Sequence, residues 1–466
     1  MLFSLTVLVP AAVAIVYEET TVQTFVTAFL ITLAAGVLLW LPSRSAVDLR
    51  SRDGFFITVL FYLGLGTFGA LPIYLIEGMD TSFTDAVFES FSGLTTTGAT
   101  VLTGLDDLPR SILFYRQLLQ WLGGMGIIVL AVAILPMLGV GGMQLYRAES
   151  PGPVKDSKLT PRITETAKAL WYVYLSLTIL CSLSYWLAGM SAFDAICHSF
   201  STVAIGGFST HDASMAFFDS AAIEAIAVVF MLICGINFGL HFVAWNRHSI
   251  RPYLADMEVK LYLLILAIVS LITVLILLQH DTTESAWRSG IFQAVSMATT
   301  TGFTTSNFSL WPSLIPVLLL LAAFSGGCAG STAGGLKIVR VLLIYRQGLR
   351  ELKRLVHPNG VFPIKLGKQV VSDRVIEAVW GFFSVYVIVF LTMVCLLMGL
   401  SDVDFITAFS AVGACLNNLG PGLGDVALNY QSLNEPSKWA LVLAMLLGRL
   451  EIFTLLVLLT PAFWRR

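Results

Sequence analysis

SFTDAVFESFSGLTTTGAT, residues 82–100, is too short to cross a bilayer, too apolar for a loop, and ends in threonine and glycine. Three further segments read the same way: AFDAICHSFSTVAIGGFST (192–210), RSGIFQAVSMATTTGFTTS (288–306) and VDFITAFSAVGACLNNLGPG (403–422). Each carries an apolar stripe at helical spacing and a serine late in that helix: Ser92, Ser201, Ser296 and Ser410. In the first three a glycine follows six residues later, at Gly98, Gly207 and Gly302. Each segment lies between two long apolar stretches, so the unit is helix, re-entrant helix, Gly/Thr strand, helix, and it occurs four times. A repeat of this kind decides the fold. Non-helical backbone at membrane depth is tolerated only where protein or water satisfies its polar groups. Four such strands meeting on one axis would aim their carbonyls at one narrow path, and rings of carbonyls can replace the hydration shell of a potassium ion. Glycine permits the torsions this needs, and the re-entrant helices would point their negative C-terminal dipole ends at a cation. One TTTG alone is equally a helix cap and turn; four copies in equivalent places favour a pore.

Composition agrees. The chain has 466 residues, 57% hydrophobic and 12% charged, with a mean hydropathy of +0.84. A soluble domain carries roughly 25% charged residues, so a disordered chain, a secreted disulfide scaffold and an ordinary cytosolic enzyme are excluded. The net charge of −2 leaves no basic excess for phosphate contacts, which argues against nucleic acid as a partner. Cys181, Cys197, Cys234, Cys328, Cys395 and Cys415 all lie in apolar stretches without a C-x-x-C and read as small buried hydrophobes. The six histidines show no H-x-x-x-H spacing, so no metal or haem site is expected from them.

A spanning helix needs about 20 apolar residues. Ten stretches qualify: 1–16, 22–41, 55–77, 111–136, 169–189, 219–244, 258–279, 312–345, 375–399 and 437–463. The first has no basic flank or small-residue cleavage site and reads as a helix rather than a signal peptide. Of 27 Lys and Arg, 22 follow the even-numbered stretches or end the chain, which places them on one, cytoplasmic, face. Both termini are then cytoplasmic. Only Arg110, Arg116, Arg288 and Lys438 fall on the other face, where 18 of the 29 acids collect, so that face concentrates cations.

Two features interrupt the apolar stretches. Residues 325–335 of the eighth hold five glycines. Glycine costs about 1 kcal/mol in a helix interior, so this helix is expected to break. The string GSTAGGLK there resembles a P-loop only superficially, since the G-K-[ST] core is missing. Arg449 lies within the tenth stretch, where a basic side chain costs about 2.5–3.5 kcal/mol and faces the protein interior. Glu451, two residues along the helix, would lie on its far side; a structural ion pair with an acid on another helix is the plainer alternative.

The motifs TTTGAT, STVAIGGFSTHD, TTTGFTTSNF and CLNNLGPGLG resemble the four pore loops of the Trk/Ktr/HKT superfamily of potassium transporters. The two extra N-terminal spans and the linker GGMQLYRAESPGPVKDSKLTPRI resemble its bacterial TrkH branch, and the likeness covers nearly the whole chain. The resemblance implies an all-α polytopic membrane protein of the bacterial inner membrane, with four pseudo-symmetric helix–pore-loop–helix repeats around a central pore. The expected division is 1–45 for the two N-terminal helices, then repeats at 54–145, 168–248, 257–347 and 372–466. It implies gated uptake of potassium, and of the similar-sized rubidium, with no covalent cofactor and potassium ions bound only along the filter. It implies a homodimer within membrane lipid, above a cytosolic TrkA-type nucleotide-binding ring.

The filter would comprise Thr96, Thr97 and Gly98; Ile205, Gly206 and Gly207; Thr300, Thr301 and Gly302. In the plant branch a serine at the first filter glycine accompanies sodium transport, so Gly98 implies potassium. Ile205, where other loops carry Thr, would act through its carbonyl. The fourth loop leaves two registers open, because counting from Ser410 reaches Leu416, whereas the nearest glycine is Gly420. Either Leu416, Asn417 and Asn418 line the path, or the strand is offset to Gly420. The resemblance places a gate at Ser325, Gly326, Gly327, Gly330, Gly334, Gly335 and Lys337, and Arg449 beneath the filter. The basic stretch 337–374, continuous with the broken helix, is where a soluble ring would dock. The alternative is a proton- or sodium-coupled symporter, which would show two inverted repeats and paired broken helices; the sequence shows four parallel repeats and one expected break.

Overall fold

The computed structural model describes residues 1–41, 51–76, 78–79, 81–129, 163–280, 285–312, 314–367 and 369–464. The expected linker at 141–163, all but its last residue, the end of the fourth stretch and residues 42–45 lie outside them. Two helices, α1 (Leu2–Val16) and α2 (Val22–Trp40), form a hairpin. The hairpin docks on the first repeat: Glu19 accepts the N–H groups of Arg110 (2.7 Å) and Ser111 (3.1 Å) at a helix N-terminus, where a carboxylate is favoured.

Four repeats follow. The first has outer helix α3 (Ser51–Gly69), pore helix α4 (Phe83–Leu94) and inner helix α5 (Arg110–Val129). The second has α6 (Ile163–Leu187), α7 (Ala192–Ala204) and an inner pair, α8 (Ala221–Cys234) and α9 (Phe238–Arg247). The third has α10 (Met257–His280), α11 (Ala286–Ala298) and the inner pair α12 (Leu314–Ser325) and α13 (Ile338–Val356). A two-residue hairpin, Lys365–Leu366 with Gln369–Val370, leads to the fourth. This has α14 (Asp373–Leu400), α15 (Phe405–Leu416), and the inner pair α16 (Glu435–Arg449) and α17 (Phe453–Leu458).

The pattern of burial follows the solvent expected around each helix. Along α10, Leu264, Ile268, Leu271, Leu275 and Leu278 are exposed on one face, while Val259, Tyr262, Leu266, Val269 and Leu277 are buried on another. Apolar side chains all round a helix suit a membrane. Among the described residues, five helices are long and apolar enough to cross alone: Val22–Trp40, Gly54–Tyr74, Ala167–Leu187, Met257–His280 and Asp373–Leu400. The α8–α9 pair passes the same test but is bent by 94°. The first of the ten stretches is a 15-residue helix containing Pro10, about 22 Å long against a hydrocarbon core of ~30 Å.

Inner helices close the ring. Each lies between its own pore helix and the next repeat's: α5 between α4 and α7, α8 between α7 and α11, α12 between α11 and α15, and α16 between α15 and α4. The expectation of one broken inner helix is corrected to three among the described residues. Asn237 caps α9 by accepting the Gly239 N–H (2.7 Å), which starts a new helix after Gly235. In the fourth repeat Glu451 and Ile452 both take positive φ (54° and 43°) between α16 and α17. GLGTFG at 64–69, a superficial nucleotide motif, is a packing face: Ser90 bonds the Gly66 carbonyl (2.7 Å) and Tyr115 the Gly69 carbonyl (2.8 Å). Five cysteines are buried free thiols; Cys395, expected among them, is exposed on α14.

Candidate functional site

Three pore helices start on a side-chain cap. Ser82 accepts the Asp85 N–H, Ser191 that of Asp194, and Asp404 that of Thr407, at 3.0–3.1 Å. Their C-terminal ends unwind identically. The N–H of Thr97 bonds the Ser92 carbonyl, Gly206 that of Ser201, Thr301 that of Ser296 and Leu419 that of Ala414, each at 2.8 Å. The preceding residue is left-handed in every case: Thr96 (φ 53°), Ile205 (54°), Thr300 (66°) and Asn418 (53°). Such a φ is rare for threonine and isoleucine, and it marks a backbone held against its local preference.

These bonds settle the fourth register. Asn418 occupies the place of Thr96, Leu419 that of Thr97, and Gly420 (φ 101°) that of Gly98 (80°), Gly207 (79°) and Gly302 (84°). Leu416 is the last residue of α15 and Asn417 its C-cap, so neither lies in the strand. Ser410 is not the counterpart of Ser92; Ala414 is, and the register counted from Ser410 is corrected accordingly. Leu419 is a strand residue that reading from Ser410 missed.

The four glycines close a ring. A Cβ on Gly98 would collide with the Gly206 carbonyl oxygen, one on Gly207 with that of Thr301, one on Gly302 with that of Leu419, and one on Gly420 with that of Thr97. The contacts run from first strand to second, third, fourth and back to first. All four carbonyls belong to equivalent residues, and a side chain at any of the glycines would break the approach. The four glycines open on one cavity at the face read as external, whose rim includes His211 and Asp212.

Side chains brace the strands from behind. Gln120 on α5 donates to the Gly206 carbonyl (2.6 Å) and accepts the Phe208 N–H (3.1 Å). Tyr430 donates to the Gly420 carbonyl (2.7 Å), and Tyr386 to the Asn417 side chain (2.8 Å). Asn418 donates to the Thr97 hydroxyl (3.0 Å), joining fourth strand to first. Glu89, fully buried, accepts the Val101 N–H (3.0 Å) and pairs with Arg116 (2.7 Å), which also bonds the Ser209 carbonyl (3.0 Å). A buried pair is kept by its further hydrogen bonds. Arg116 is therefore interior, and not the surface cation its place in the charge count suggested. Lys438 pairs with Asp85 and Arg288 with Glu224, so three of the four basic residues on that face are neutralised.

At the rim, His211 joins two loops. One ring nitrogen meets Asp106 and the other lies 3.5 Å from Asp194. Burial alone would lower its pKa, but the bonded carboxylates outweigh burial and hold it above the ordinary value.

Below the strands, residues 326–337 join α12 to α13 as an irregular loop. All the expected gate residues lie in it or at its ends; Gly326, Gly330 and Gly335 have positive φ, and Lys337 bonds the Ala333 carbonyl. The loop bonds directly to the second, third and fourth repeats, and Arg449 links it to the first. The Gly334 N–H donates to the Thr300 hydroxyl (2.7 Å), the Gly335 N–H to the Asn417 carbonyl (3.1 Å), and the Thr332 hydroxyl to the Val203 carbonyl (3.0 Å). Arg449, 1% exposed, donates to the carbonyls of Thr332 (3.2 Å) and Gly123 (3.1 Å), the latter in the first repeat. It forms no ion pair among those found in the described residues. Glu451 instead pairs with Arg340 at the start of α13 (2.7 Å), because the turn after α16 redirects it.

Residues 21–466 match the family model described as TrkH, cation transport protein. The chain is 58% identical over 472 aligned residues to the Trk system potassium uptake protein TrkH of Vibrio parahaemolyticus, covering 100% of this chain and 97% of that one. It is 56% identical to the protein of that name from Escherichia coli, with the same coverage, and 42% identical to the Escherichia coli protein TrkG, with 100% and 96% covered. Its structure superposes on the crystal structure of the potassium transporter TrkH from Vibrio parahaemolyticus with a TM-score of 0.92, at 55% identity, covering 100% and 97% of the two chains.

Proposed function

The chain belongs to the TrkH family of cation transport proteins, and from that premise we propose that it takes up potassium through a gated, selective pore in the bacterial inner membrane. The observation that carries the reading is the closed ring of four glycines, each lying against the next strand's carbonyl. Backbone oxygens so placed can replace water around a dehydrated cation. Thr96, Thr97 and Gly98, Ile205–Gly207, Thr300–Gly302 and Asn418–Gly420 form the filter, and rubidium passes with potassium. The loop 326–337 and Arg449 form the barrier beneath it. Two copies assemble as a homodimer in the lipid, with both termini cytoplasmic. A cytosolic TrkA-type nucleotide-binding ring acts on the basic face that includes Arg346, Arg350, Lys353 and Arg354.

One observation favours the ion-coupled alternative: three inner helices are broken near the axis, and broken helices are where coupled transporters bind their ions. Recording from the purified protein in a planar bilayer, with potassium and sodium gradients imposed in turn, tests both. A pore gives a reversal potential at the potassium equilibrium value, insensitive to pH and to the sodium gradient. A reversal potential that tracks protons or sodium refutes the pore in favour of a symporter, and one independent of potassium refutes both.

A further inference from the structure

We infer that Glu258 is a positioning residue that latches both ends of the loop 326–337, an inference resting on the reading of that loop as the barrier. Glu258 is the second residue of α10, in the outer helix of the third repeat, and only 3% exposed. Its Oε1 accepts two backbone N–H groups, from Ala329 (2.7 Å) and Val339 (3.2 Å). Ala329 lies near the loop's start. Val339 lies in the first turn of α13, just past the loop's end. One carboxylate oxygen thus ties together two points ten residues apart along the chain. Both bonds are charge-assisted, and the second falls at a helix N-terminus, where backbone donors are unsatisfied and an anion is favoured.

The latch is itself anchored. Asp256 accepts the N–H groups of Glu258 (2.8 Å) and Val259 (3.1 Å), fixing the first turn of α10. Other bonds on the loop come from groups beside the filter, from Arg449, and from the break in the second repeat's inner helix, where the Cys328 N–H meets the Gly235 carbonyl (2.9 Å) and the Phe238 N–H the Gly330 carbonyl (3.0 Å); the Ile338 N–H also meets the Gly327 carbonyl (3.1 Å). Glu258 reaches it from the outer helix. For the loop to straighten or leave the axis, Ala329 must separate from Val339, and at least one of the two bonds to the carboxylate must break. Glu258 therefore sets how readily the loop moves without itself touching the ion's path.

Cys328, adjacent to Ala329, provides the readout. It is a free thiol, 1% exposed, within the loop. Wild type, Glu258→Gln and Glu258→Ala are reconstituted in liposomes and exposed to a small methanethiosulfonate, and labelling at each cysteine is followed by mass spectrometry. Loss of one charge-assisted bond corresponds to a change of about tenfold or more in a local equilibrium. Cys328 is therefore expected to label about tenfold faster in Glu258→Gln and faster still in Glu258→Ala. Cys197, fully buried in α7, should stay unlabelled and reports on the fold as a whole. Cys328 labelling at the wild-type rate in both variants overturns the latch, as does equal acceleration at Cys197, which would mean general loosening. Rubidium influx on the same liposomes separates the two readings. Faster Cys328 labelling with unchanged influx leaves the latch standing and refutes the loop as the barrier.

Discussion

Replacing Arg449 by alanine tests the barrier. The guanidinium holds the loop through the Thr332 carbonyl at 3.2 Å and holds α5 through the Gly123 carbonyl at 3.1 Å. Hydrogen bonds to a charged group contribute about 1.5–3 kcal/mol each. Only the Thr332 bond ties the loop itself, so Arg449→Ala should weaken the closed arrangement by about that amount. Every 1.4 kcal/mol is tenfold, so the ratio of open to closed loops should rise roughly 10–150-fold. A loop open about 1% of the time would then be open for roughly 10–60% of it. The charge itself also leaves a poorly hydrated path, which adds to the effect. Arg449→Lys separates the two contributions: lysine keeps a charge but lacks the fork that reaches two carbonyls. If charge is the barrier, the lysine variant stays near wild type; if the bond is, it rises toward the alanine variant. The assay is rubidium influx into potassium-loaded liposomes without any cytosolic partner. Unchanged influx in both variants, from protein that is monodisperse and melts at the wild-type temperature, would refute the argument.

Gly98→Ser should raise sodium permeation, because its Cβ would displace the Gly206 carbonyl; an unaltered sodium-to-potassium permeability ratio would sink the filter assignment. Gly420→Ala should impair selectivity as Gly98→Ala does while Leu416→Ala spares it, and the opposite order in reversal potentials would restore the register counted from Ser410. The His211 clamp on Asp106 and Asp194 has a raised pKa, so its stabilisation is complete below about pH 6.5 and is lost as pH rises through the raised value. The thermal midpoint should accordingly fall over that interval in wild type and fall less in His211→Gln; equal slopes would exclude the clamp. On α13, Arg350 is buried against Asp373, whereas Lys353 and Arg354 are exposed, Arg354 in a surface pair with Glu351 (3.0 Å), so changing the latter two to serine should abolish capture of a cytosolic regulatory ring. Undiminished capture would place the docking surface elsewhere.

Local signals were legible. The pore helices, the first three glycines of the proposed filter and the glycine-rich break each announce themselves within about twenty residues of chain. The fourth register stays open between Leu416 and Gly420 in sequence because Ser410 lies one helical turn before the position that matters, which Ala414 fills. Counting from the caps would have found it: Ser82, Ser191 and Asp404 each precede their glycine by sixteen residues. Gln120, Tyr386 and Tyr430 carry no such signal, since each braces a strand from a different part of the chain and looks like ordinary core in sequence. Gly235 and Asn237 did mark the second inner break, by ordinary turn and cap chemistry. The fourth could not be read at all, because Ile452 at φ 43° contradicts the preference of a β-branched residue. Arg449 was recognised as interior from cost alone, but its partners proved to be carbonyls rather than an acid.

The ring of strands is built from one polypeptide, and its four members differ. At the left-handed position stand Thr96, Ile205, Thr300 and Asn418; at the next, Thr97, Gly206, Thr301 and Leu419. In an assembly of identical chains a single codon change alters all four walls of a filter together. Here it alters one wall, and the other three keep their geometry. Variation can therefore explore the proposed ion path in quarter steps, and a side chain tolerable once but ruinous four times over becomes accessible. Asn418, whose amide reaches across to Thr97, is such a residue: it links fourth strand to first at the seam where the chain's last repeat meets its first. Fourfold repetition would give every strand that amide, whereas a single seam needs only one.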